Sequence, residues 1–133
     1  MKLLLDTHIV VWSLLEPQRL SRRVAKALAS PASEIWISPV STWEIVLLGA
    51  RGRLRIKGDG DSQRWIGEAI SRTGFREAPL THEVVMAMAK INLPHRDPAD
   101  HFLAATALHF GLTLVTADEN LIGGRGYSLL ANK

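Results

Sequence analysis

Residues 1–8 read "MKLLLDTH", and the reading of this stretch decides the fold. Leu3, Leu4 and Leu5 stand in a row, so the apolar pattern is continuous rather than alternating. A strand wetted on one face alternates apolar and polar side chains; a strand covered on both faces does not. "KLLLD" is therefore a short strand buried on both sides. The run stops at a carboxylate. Asp6 or Thr7 caps a following helix, or the strand delivers Asp6 to a place that uses a charge.

The next stretch, "THIVVWSLLE", has helical length and ends before Pro17. "SRRVAKALAS" begins with a good cap, Ser21, and sets Val24, Ala27 and Leu28 at helical spacing. "EIWIS" is β-branched and aromatic, a second strand. "STWEIVLLGA" is helical and stops near Gly49 and Gly52. Residues 51–61 are glycine-rich and charged, a loop. "SQRWIGEAISR" predicts a helix, "FREAPL" a short third strand, and "THEVVMAMAKI" a helix with Val84, Met88 and Ile91 on one face. "DPADHFLAATALHFG" is a nearly apolar helix, "LTLVT" a fourth strand and "YSLL" a candidate fifth. Strands alternating with helices imply an α/β protein, with parallel strands and helices on both faces. Ligand sites in such sheets lie beyond the carboxyl ends of the strands.

The chain has 133 residues, 47% of them apolar, which suits a single domain over 1–133 with its own core. No apolar run reaches transmembrane length. Lys2 is followed by only three leucines before Asp6, which is no signal peptide. The chain has no cysteine, which excludes disulfides, thiolate zinc sites and cysteine nucleophiles and fits a cytoplasmic protein. Sixteen basic residues against thirteen acidic give +3, which permits a polyanionic partner without demonstrating one.

Several acidic residues fall at one edge of the expected sheet. Asp6 follows the first strand. In "STWE", Ser41 and Glu44 match a capping box, with Glu44 reaching back to the cap N–H. In "RDPADHF", Asp97 before Pro98 is a good cap, and Asp100 lies three residues on, on nearly the same helix face. Of these two, Asp100 is the better candidate for direct metal binding and Asp97 the second. Thr116 and Asp118 follow the fourth strand; Asp118 either caps a short helix or faces a ligand. Each residue alone has a structural explanation. Together, four carboxylates at one edge repel one another and call for a cation. Oxygen ligands favour Mg²⁺ or Mn²⁺, ions that polarise phosphoryl oxygens and acidify water. The chemistry suggested is metal-assisted phosphodiester hydrolysis.

"LLLDTH", "STWEI", "HRDPADHFLAATAL" and "TLVTADENL", taken in order, resemble the PIN-domain ribonucleases, and more narrowly the VapC toxins of bacterial toxin–antitoxin pairs. The resemblance runs over essentially the whole chain. It implies a three-layer α/β/α sandwich around a mostly parallel sheet. It also implies Mg²⁺- or Mn²⁺-dependent cleavage of RNA to 5′-phosphate and 3′-hydroxyl ends, a VapB-type antitoxin that blocks the site, and a homodimer. By motif, Asp6, Glu44, Asp100 and Asp118 become the metal-binding acidic set, and Thr7 and Thr116 their hydrogen-bonding supports. No acidic position of the set is missing.

Other features have plainer readings. In "RGRLRIK", Arg51, Arg53, Arg55 and Lys57 alternate and, if extended, line one face toward RNA or an antitoxin. His8, His82, His95, His101 and His109 lack metal-ligand spacing, and helix-start packing accounts for His8. Trp12, Trp36, Trp43 and Trp65 fit core or dimer packing better than base stacking. Asp59-Gly60-Asp61 hints at a calcium loop, but Ile70 stands where that loop needs Glu. Two other functional classes compete with the nuclease. A catalytically silent PIN-like module would bind RNA or protein without cutting. A CheY-like receiver needs a lysine after its last strand, and none follows "LTLVT".

Overall fold

Leu3, Leu4 and Leu5 are each fully buried, as the unbroken apolar run requires. They form β1 (Lys2–Leu5), the middle strand of a five-stranded sheet in this computed structural model, which describes residues 1–54, 62–94 and 96–133. Arg55, Lys57, the Asp59-Gly60-Asp61 stretch and His95 lie outside the described residues.

In chain order the elements are β1, α1 (Thr7–Leu15), α2 (Arg22–Ala29), β2 (Glu34–Ile37), α3 (Pro39–Ala50) and α4 (Ser62–Thr73). They continue with β3 (Arg76–Glu77), α5 (His82–Ala87), α6 (Pro98–Phe110), β4 (Thr113–Thr116), α7 (Glu119–Ile122) and β5 (Ser128–Ala131). All pairings are parallel, in the order β3-β2-β1-β4-β5. Side-chain alternation along β1 splits the core. Leu3 and Leu5 join Val10, Val24, Ile45 and Ile66 from α1 to α4. Leu4 points the other way, to Leu103 and Ala107 of α6 and Leu121 of α7. Two cores on one sheet make the three-layer α/β/α sandwich.

The order of strands also locates the site. The chain leaves β1 toward β2 and β3, then crosses back to β4 on the other side. The connections at the carboxyl ends of β1 and β4 therefore diverge, and a crevice opens between them. Asp6 stands at the end of β1, and Thr116, Ala117 and Asp118 at the end of β4.

Helix boundaries follow local chemistry, with one correction. Ser21 caps α2 through the Val24 N–H, and Asp97 caps α6 through the Ala99 N–H, both as expected. The capping box at Ser41 is not formed. α3 starts earlier, with Ser38 as cap, accepting from the Val40 N–H, and Pro39 in the first turn. Proline needs no partner for its nitrogen there and has its φ preset for a helix, so the Ser38-Pro39 pair wins. Ser41 is instead a buried third helical residue.

α6 stops at Gly111, whose φ is +65°, with the Leu112 N–H closing on the Ala107 carbonyl. A Cβ at Gly111 would meet nothing within 4 Å, so only the left-handed backbone opposes a side chain. Gly111→Ala is expected to cost about 1–2 kcal/mol, read as a lower urea midpoint with an unchanged m-value.

The alternating basic run is not extended at its start. Gly52 takes a φ of +67°, and the Arg53 N–H returns to the Leu48 carbonyl to finish α3. Arg51 and Arg53 consequently line different grooves.

Candidate metal-binding active site

Asp6 is the hinge of the site. Its backbone N–H still donates to the Val115 carbonyl at 3.0 Å, so it ends β1 in register with β4. Its φ and ψ, −63° and 157°, then make it the cap of α1. The capping reading offered for Asp6 is thus borne out, and the residue stands at the carboxyl end of β1. The side chain is 6% exposed. Oδ1 accepts from the Thr7 N–H at 2.7 Å, and Oδ2 accepts from the Thr116 hydroxyl at 2.7 Å.

Two threonines carry the arrangement outward. The Thr116 oxygen also accepts from the Asp118 N–H at 3.0 Å, and Asp118 caps α7 through the Asn120 N–H at 2.9 Å. The Thr7 hydroxyl donates to Glu44 Oε1 at 2.6 Å. Since Glu44 has no capping-box duty, its carboxylate can face β1. The polar chain Glu44–Thr7–Asp6–Thr116–Asp118 spans α3 to α7 across the crevice. Asp97 and Asp100 enter from the start of α6. Asp100 is buried and Asp97 exposed.

The electrostatics tie these groups together. Burial raises the Asp6 carboxyl above its ordinary value and the Asp118 charge adds to that, while the Thr116 and Thr7 hydrogen bonds and His8 oppose it. Burial also raises Glu44, with Asp6 and Asp97 adding and Thr7 and His8 opposing. The Tyr127 phenol is pushed up to about 12, first by burial and then by Asp100 and Asp118. Asp118 thus acts on Asp6, Asp6 and Asp97 on Glu44, and Asp100 and Asp118 on Tyr127, all at the same edge. An all-oxygen, mutually repelling set of this kind suits a hard divalent cation. Among the described residues, no three His, Asp or Glu side chains already converge on one ion position. A cation held by this set would need side chains to turn inward.

Three further residues border the site, of which only Arg19 was not named from sequence. His8 is exposed, with its ring packed against Trp12 one helical turn on, 5.9 Å between centroids. It shares with Trp12 and Arg19 a recess of about 400 Å³ beside Asp6 and Asp118. The spacing of His8 and Trp12, one helical turn, was the only signal in the sequence. On the other side of Glu44 runs an apolar groove of about 610 Å³, with Trp43, Leu47, Leu80 and Phe102 in its wall and Arg51 on it. Trp43 is 58% exposed, so the core reading fails for it; Trp36 meets that reading, stacked on Phe110.

A parallel α/β sandwich with an acidic edge at its switch point defines a class, and comparison with known proteins narrows it. The PIN domain model matches residues 3–123. Ribonuclease VapC22 of Mycobacterium tuberculosis is 32% identical over 121 residues, 89% of this chain and 88% of that one. The chain belongs to the PIN-domain family. Its fold resembles VapBC2 of Rickettsia felis, solved with a DNA fragment from their promoter, at a TM-score of 0.72 and 16% identity over 98% of both chains. It also resembles FitAcB of Neisseria gonorrhoeae, at a TM-score of 0.66 and 21% identity over 96% of both.

Proposed function

We propose that this chain is a divalent-metal-dependent ribonuclease, the toxin of a toxin–antitoxin pair, held in check by a VapB-type antitoxin. One observation carries the reading: buried Asp6 is linked to Glu44 through Thr7, from whose N–H it accepts and whose hydroxyl donates to Glu44, and to the Asp118 N–H through the Thr116 hydroxyl, in a crevice where Asp118 acts on Asp6 and Asp6 on Glu44 by like-charge repulsion. The likeness to a ribonuclease over most of the chain supports RNA as substrate. The likeness to toxin–antitoxin complexes supports an antitoxin partner.

Asp6, Asp100 and Asp118 would hold Mg²⁺ or Mn²⁺, with Glu44 completing the set. Asp100 is preferred over Asp97 because it is buried and acts, as Asp118 does, on the Tyr127 phenol, whereas Asp97 is exposed and occupied in capping α6. When bound, such an ion polarises a phosphoryl oxygen and lowers the pKa of water for in-line attack. Thr7 and Thr116 hold the carboxylates of Glu44 and Asp6 in place. Arg51, at the apolar groove, is a candidate antitoxin contact, and Arg53 a candidate RNA contact. Arg55 is a third such candidate, from sequence alone. A homodimer in the cytoplasm is the expected setting; no helix among the described residues is long and apolar enough to cross a membrane.

The test is cleavage of total cellular RNA by purified, antitoxin-free protein in Mg²⁺, in Mn²⁺ and in EDTA. Cutting in either ion and none in EDTA is expected. RNA binding without cutting in any ion would instead favour the catalytically silent module.

A further inference from the structure

The recess beside Asp6 and Asp118 does not end at the carboxylates. His8, Trp12 and Arg19 line it, and the same three residues line an adjoining groove of about 940 Å³ that continues past Arg53 and Trp65. The Arg19 guanidinium lies over the Trp12 indole, 4.4 Å from the ring centroid. Among the described residues Arg19 pairs with Glu16, at 3.3 Å, and both side chains are about half exposed at 55% and 47%. Such a pair is weak and neutralises little of the charge.

Arg19 is also unusually well placed for a surface arginine. Asn132 accepts from the Ser21 N–H at 2.6 Å and donates its amide to the Arg19 carbonyl at 3.1 Å. Its own backbone N–H donates to the Thr116 carbonyl at 2.7 Å. The turn bearing Arg19 is thereby tied to the residue that holds Asp6. Aromatic and cationic groups along a groove are what an unpaired nucleic-acid strand uses: bases stack on rings and guanidinium planes, and phosphates meet the charge.

We propose that Trp12 and Arg19 form a nucleotide subsite next to the carboxylates, taking an unpaired base and its phosphate from single-stranded RNA, with Asn132 as a positioning residue. This rests on the ribonuclease reading for its substrate, but not on catalysis.

The test measures binding of a short mixed-sequence single-stranded RNA, and of its duplex, in EDTA. Asp6→Asn protein, which does not need to cut, serves as the background for each variant. Arg19→Gln is expected to weaken single-strand binding about tenfold and to flatten its salt dependence by about one phosphate contact, leaving duplex binding unchanged. Arg19→Lys should keep the salt slope and lose most of the affinity gained by stacking. Asn132→Ala in the wild-type background should raise KM with little change in kcat. Trp12 also touches the core, so Trp12→Phe, which keeps a ring, accompanies Trp12→Leu; the first should retain more binding than the second. Unchanged single-strand binding by folded Arg19→Gln would overturn the subsite, as would loss of antitoxin binding alone. Binding that depends on Arg19 in a protein that never cuts would keep the subsite and remove the nuclease.

Discussion

Asp6→Asn is expected to lose RNA cleavage by roughly 10³-fold, the rate equivalent of about 4 kcal/mol, while the metal-free protein becomes more stable at neutral pH. The first effect follows from removing the most central charge of the proposed ion site. The second follows from linkage. The Asp6 carboxyl is raised above its ordinary value of 3.8 in the folded protein, with burial as the main cause. Between 3.8 and that raised value, the folded state holds the proton more tightly than the unfolded state. Stability contributed by Asp6 is therefore present at low pH, is lost as pH rises through this window, and stays lost above it. Glu44 acts in the same direction from its ordinary 4.5 upward. Asparagine is neutral throughout and removes the Asp6 part of this slope. Its amide oxygen can still accept from the Thr7 N–H, and Thr116 can turn to accept from its NH₂. Thermal unfolding from acid to neutral pH, in EDTA and in Mn²⁺, checks both halves. The ion should raise the wild-type Tm most at neutral pH and raise that of Asp6→Asn much less. A folded Asp6→Asn protein that still cuts RNA in a metal-dependent way would remove Asp6 from the site.

Thr116→Val is the second large effect and needs no change of charge. Valine matches threonine in shape but has no hydroxyl. The fully buried Thr116 oxygen serves Asp6 on one side and the Asp118 N–H on the other, at 2.7 and 3.0 Å. Losing it leaves a buried acceptor and a donor short of a partner, a cost of about 1–3 kcal/mol. It also removes the largest influence that opposes the raising of Asp6. The acidic limb of the rate profile should shift to higher pH, and kcat/KM should fall about 10–100-fold, as for supports of metal ligands generally. Thr116→Ser should restore most of both. Activity of Thr116→Val within twofold of wild type, with an unshifted profile, would show that the hydroxyl has no part in the site.

How much of this was legible in the sequence depended on the range of the interaction. "KLLLD" was enough to place a doubly covered strand, because burial on both faces leaves its mark within four residues. Asp97 before Pro98 marked the start of α6 for the same local reason. Ser38 before Pro39 carries the same mark, yet the box pattern at Ser41 and Glu44 drew the boundary three residues too late. The error mattered, because it gave Glu44 a capping duty and hid its contact with Thr7. The acidic candidates were picked out because strand ends predict where a parallel sheet binds ligands. Arg19 was not legible at all. Its place over Trp12 depends on the turn at Pro17–Arg19 and on Asn132, 113 residues further along the chain.

The central position of β1 has a consequence in time. β1 is made first, but β4, one of its two neighbours, is made only after more than a hundred further residues. Pairings so distant in sequence form late, because the long intervening chain must be ordered before they hold. Thr116, which secures Asp6, arrives on that last-made neighbour. On a ribosome still short of residue 113, Asp6 has no threonine hydroxyl to hold it and Asp118 does not yet exist. A protein that endangers its own cell's RNA is thus expected to stay inert through most of its synthesis, and to become dangerous only in the moment β4 docks.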